Sequence, residues 1–167
     1  MSLLLSAIGA TVAAVLDVSL SSRYLTIGNA GPHLVLVLGV IWSIAAGMER
    51  GIAWGFIGGL VLDALLGRPL GASAFALLVA VGGAQLISQP LVRLRLLAPV
   101  VAVPVLSVVY SMLIVVLTST SQPGTGLGDP GGLFLPSAAY DGVLGILLGP
   151  LIVSVHDRRL AVERVDW

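Results

Sequence analysis

The chain has 167 residues, of which 57% are hydrophobic and 10% formally charged, with 21 glycines, no cysteine and a net charge of zero. A soluble domain carries roughly 25% charged residues, and a mean hydropathy of +1.10 leaves too little polar material to clothe a water-facing surface. This excludes an ordinary soluble enzyme, a nucleic-acid binder with a basic stripe and a disordered regulator, and points to an integral membrane protein.

A spanning helix needs about 20 mostly apolar residues, and charged residues mark where such runs break. The spacing predicts six spans in one all-α membrane domain over 1–167. The first covers about 2–20, interrupted only by Asp17 and followed by Ser21, Ser22, Arg23 and Tyr24. It has no basic segment ahead of it, so it reads as a retained helix rather than a signal peptide. The second and third, about 33–48 and 51–66, are separated only by Glu49 and Arg50. At roughly 24 Å each they are short for a hydrocarbon core of about 30 Å, and a tight helical hairpin is expected.

The turn Gly67-Arg68-Pro69-Leu70-Gly71 ends the third span, since glycine and proline are the strongest local breakers. The fourth, about 72–92, holds Gln85 and Gln89 but no charge before Arg93 and Arg95. The fifth, about 96–118, contains Pro99 and Pro104, which are expected to bend its first half. A polar, glycine-rich loop from Ser119 to Asp129, continuing to Gly132, leads to the sixth span at about 133–155. That span ends at His156, Asp157, Arg158 and Arg159.

Basic residues near helix ends stay on the cytoplasmic side. With both termini inside, Arg50, Arg93, Arg95, Arg158, Arg159 and Arg164 are cytoplasmic, against only Arg23 and Arg68 outside. The expected topology therefore has cytoplasmic termini and an outward-facing long loop. Arg93, Arg95, Arg158 and Arg159 are expected to hold it and to touch anionic lipid headgroups, at about 1 kcal/mol each.

Gly47, Gly51, Gly55 and Gly59 recur at intervals of four, continued by Asp63 and Gly67. Each step of four advances about 40° around a helix, so Gly55, Gly59 and Asp63 share one face. Small residues let helix backbones approach closely inside lipid. The series reads in two ways: as the seam that fits the bundle together, or as a groove at Gly51, Gly55, Gly59 and Asp63 that receives a helix of another protein. Ser6, Ala10 and Ala14 form a weaker series, as do Asp141, Gly145 and Gly149.

A carboxylate at the centre of a membrane helix costs roughly 2.5 to 3.5 kcal/mol, so each one needs a reason. Asp63, about a turn from its helix end, is expected to act with Arg68 and Pro69 as a structural latch; an ion or substrate contact is the alternative. Asp141 is deep if the last helix begins at Leu133. It is a first-turn carboxylate favoured by the helix dipole if the helix begins at Ser137, which is the more economical reading. Asp17 is expected near the interface, and Gln85 and Gln89 as hydrogen-bond donors between helices. His33 and His156 fall at opposite ends of spans, no serine, histidine and acid converge, and the glycines follow helix spacing rather than a phosphate loop. No enzyme, cofactor or metal site is expected.

From Pro32-His33-Leu34-Val35-Leu36 through Gly51-Ile52-Ala53-Trp54-Gly55-Phe56-Ile57-Gly58-Gly59-Leu60-Val61-Leu62-Asp63 to Gly67-Arg68-Pro69-Leu70-Gly71, the sequence resembles the signature of the rod shape-determining protein MreD family. That pattern has a Pro and a small polar residue before the second helix, a G-x-x-x-G-F-x-x-G-L-x-x-D segment and a G-x-P-L-G turn. Two positions depart from it: His33 stands where Asp or Asn is common, and Asp141 where Asn is frequent. The resemblance implies a non-enzymatic scaffold of the bacterial cell-elongation complex in the plasma membrane. Its six-transmembrane-helix bundle would be similar to the substrate-binding subunits of energy-coupling factor transporters. The implied partners are MreC, a single-span protein with an extracytoplasmic coiled coil, and more widely MreB filaments and the wall-building glycosyltransferase and transpeptidase. A second copy of the chain is a further candidate. The alternative function is vitamin binding for such a transporter, which the scarcity of aromatic and buried polar residues disfavours.

Overall fold

A computed structural model describes residues 2–21, 31–89, 97–119 and 130–163. They form six helices, with no strand among the described residues: α1 (Ser2–Ser21), α2 (Leu34–Ala46), α3 (Met48–Leu66), α4 (Ala72–Ser88), α5 (Ala98–Ser119) and α6 (Pro130–Glu163). Two of them, at Ala98–Ser119 and Leu135–His156, are long and apolar enough to cross a membrane, while Leu3–Ser19, Leu34–Ala46 and Ala72–Ser88 are shorter apolar helices. Positions 120–129 of the expected outer loop, and Arg23, Arg93, Arg95 and Arg164, lie outside the described residues, as do the side chains of Arg158 and Arg159.

The organising element is α2. It is the shortest helix, nine of its 13 residues are buried, and it packs on each of the other five. Around it, α1 lies on α3, α3 on α4, α4 on α5 and α5 on α6. Large apolar side chains remain exposed on the outer faces, among them Ile8, Phe56, Phe75, Leu86, Met112 and Leu147. A helix apolar on every side is what lipid on one face and a packed interior on the other require.

The hairpin between α2 and α3 turns on one residue. Gly47 adopts φ 97° and ψ 168°, a backbone open to glycine and strained for a side chain. Glu49 and Arg50, read from the sequence as the connection, lie instead in the first turn of α3. The far end of α3 closes on Gly67 in the left-handed conformation (φ 63°), with the amides of Gly67 and Arg68 both donating to the Asp63 carbonyl.

The last helix departs most from expectation. It starts at Pro130 and runs 34 residues, continuing through Pro136 and Pro150 and through the charged residues 157–159. Asp141 is therefore its twelfth residue and not a first-turn carboxylate, and it is fully buried. Proline at a first helical position is preorganised for the helix and lacks only an N–H that had no partner there.

Candidate functional site

Polar side chains that the apolar spans cannot hide gather where the end of α1, the start of α2, the end of α3 and the start of α4 meet the middle of α5 and α6. Asp141 is the hub. Its Oδ1 accepts the His33 backbone N–H at 2.7 Å, and its Oδ2 faces His33 Nδ1 at 2.9 Å and accepts the Ser107 hydroxyl at 2.5 Å. One carboxylate thus joins α2, α5 and α6. The edge of the His33 ring meets Tyr110, with centroids 5.3 Å apart. Asp17, also buried, accepts the Val35 N–H at 3.2 Å. Carboxylates taken out of water need donors of this kind to stay affordable in an apolar interior.

Asp63 is fully buried and works differently from the expected latch. Its carboxylate accepts the backbone N–H of Gly71 at 2.8 Å and of Ser73 at 2.9 Å, while Arg68 reaches the Ser73 hydroxyl at 3.5 Å. The partners are thus the free amides at the start of α4, a capping role supplied from the preceding helix, and not the guanidinium. Pro69 contributes through its carbonyl, which accepts the Ala72 N–H at 3.1 Å. Asp63→Ala should lower stability by about 1–2 kcal/mol, and Asp63→Asn by less. Thermal unfolding of the detergent-solubilised protein checks this, and equal midpoints for Asp63→Ala and the parent would remove the capping role.

The glycine face of α3 is occupied by this chain's own helices. A Cβ on Gly51 would meet Ser43 at 2.7 Å and Val81 at 2.8 Å, and one on Gly55 would touch the Leu77 backbone at 3.4 Å. A Cβ on Gly59 would overlap the backbone of Ala74. The groove expected to take another protein's helix is filled by α4, with α2 at one end, because Ser73, Ala74 and Ala76 give α4 a small-residue surface of its own. Gly145 and Gly149 likewise face Val103 and Pro99 of α5. Gln85 donates to the Ser43 carbonyl and hydroxyl, tying α4 to α2, and Gln89 lines a recess with Ser88 and Gly47.

Two features escaped the sequence reading. Trp54 is a packing centre: its ring lies against Gly9 and Gly39 and its indole N–H donates to the Val35 carbonyl at 3.1 Å. The only trace of this in the sequence is a glycine on each neighbouring helix. The other is that His33 and Asp141 touch each other, Nδ1 of the ring facing Oδ2 of the carboxylate.

These features define a helical membrane protein whose polar groups hold its own helices together; among the described residues no three His, Cys, Asp or Glu converge as metal ligands. The chain belongs to the MreD family: the sequence model described as rod shape-determining protein MreD matches residues 1–155. No curated protein and no solved structure matches it. The family is a shape-determining structural component of the membrane rather than an enzyme family.

Proposed function

We propose that this protein is a non-enzymatic scaffold of the bacterial cell-elongation complex, a six-span bundle with both termini cytoplasmic, which holds a MreC-like single-span protein beside it and so helps direct lateral peptidoglycan synthesis. The observation that carries the reading is the family match over 1–155. It is supported by a polar interior engaged with its own chain, which leaves the outward apolar faces as the surface a neighbour meets. The partner contact is assigned to those faces, because the α3 glycine face is taken by α4. MreB filaments and the wall-building glycosyltransferase and transpeptidase belong to the wider assembly.

The test places a photo-crosslinking residue in turn at Phe56, Leu86, Met112 and Leu147, which are exposed on α3, α4, α5 and α6, in cells making the MreC-like protein. Crosslinks to that protein confined to one or two adjacent helices are expected, together with copurification. Absence of both from intact membranes would overturn the scaffold reading.

A further inference from the structure

Of the described residues at the polar hub, His33 is the one whose side chain ordinarily titrates between about pH 5 and 8. It stands just ahead of α2 with 30% of its side chain exposed, while its partner Asp141 is fully buried. Nδ1 is committed to Asp141 at 2.9 Å, so Nε2 is the nitrogen that trades a proton with water. Losing that proton leaves the Nδ1–H bond in place and removes the charge alone.

Around the ring, α6 brings Asp141, α1 brings Asp17, the turn between α3 and α4 brings Arg68, and α5 brings the uncharged Tyr110 and Ser107. Helix α4 has no titratable side chain, and Asp63 of α3 is engaged by the amides of Gly71 and Ser73. Burial works against a charged ring, and Arg68 adds to that, whereas the contact with Asp141 and the field of Asp17 favour it. Among the described residues of the hub, Asp17, Asp63 and Asp141 stand against Arg68, a negative balance in an apolar interior that an imidazolium offsets.

We infer that His33 is a proton-binding site that fastens α6 to α2: the junction is tight while the ring is charged, and it loosens as the ring gives its proton to water at the end of the bundle where α1 finishes. The folded bundle holds carboxylates around the ring that the unfolded chain does not. The contribution to stability is therefore complete in acid and is lost as the pH rises through the ring's titration. The His33 backbone N–H on Oδ1 and the Ser107 hydroxyl on Oδ2 remain, so the junction weakens without coming apart.

Thermal unfolding of the full-length protein in detergent, from about pH 5.5 to 8.5, spans this titration. The midpoint of the parent is expected to fall by about 3 °C or more as the pH rises; His156→Gln should keep this fall and His33→Gln should lose it. A parent midpoint flat across the range, or a fall kept in His33→Gln, would overturn the proposal. Should His33→Gln fail to fold, nitrogen NMR of labelled histidine in His156→Gln, where His33 is the one histidine left, reads the ring directly. Its signals should pass from the charged to the neutral form within the same range, and adding Asp141→Asn should move that transition to lower pH. A ring that keeps one protonation state throughout, or a transition unmoved by Asp141→Asn, would equally overturn it.

Discussion

Gly59→Ala is expected to lower the thermal midpoint of the detergent-solubilised protein steeply, while Gly55→Ala leaves it unchanged or slightly raised. Both substitutions gain about 1 kcal/mol of helix propensity, so the difference isolates packing. At Gly55 the added methyl sits 3.4 Å from the Leu77 backbone and 3.5 Å from Val81, at the edge of ordinary contact. At Gly59 it falls on the backbone of Ala74, which cannot rotate aside as a side chain does. Overpacking of this kind costs about 1–3 kcal/mol and more where backbone must move. The displaced backbone is also the one whose amides Asp63 holds. A Gly59→Ala protein with the midpoint of the parent would show that α3 and α4 are not pressed together here.

The second large effect is expected at the pairing of His33 with Asp141. Asp141→Leu removes the acceptor of two N–H groups and a hydroxyl, each worth about 1–3 kcal/mol when stranded in an apolar interior; the losses will not add fully because one collapse relieves several. His33→Asp sets a second carboxylate beside the first, which like charges resist. Adding Asp141→Asn to His33→Asp restores a donor facing an acceptor. The double variant should therefore be more stable than His33→Asp alone, as measured by thermal unfolding in detergent. A double variant no better than the single one would show the two residues to be energetically independent.

The helices were legible because lipid enforces apolar runs broken by charge, and this fixed six segments to within a few residues apart from the last. There, Gly131 and Gly132 read as the end of the loop, yet α6 runs through both positions. Nothing local in the sequence marks Asp141 as buried; its donors come from residues 34 and 108 positions away. The interval-of-four glycines correctly identified a face of close approach, but a stripe of small residues carries no label for the helix that fills it. The complementary signal was present in α4, where Ala72, Ser73, Ala74 and Ala76 open the helix. Asp63 could not be assigned its partners from residue types, because they are backbone amides.

The central place of α2 bears on how the protein is made. This helix leaves the ribosome second, only 13 residues long, and four of the five helices that cover it are still to be synthesised. Its early companions are α1 and, through a one-residue hinge, α3, so the α2–α3 pair enters the bilayer most readily as a unit. Nascent chains halted after α4 would still present the flank of α2 that α5 and α6 later sheath, a surface that membrane quality-control proteases can recognise.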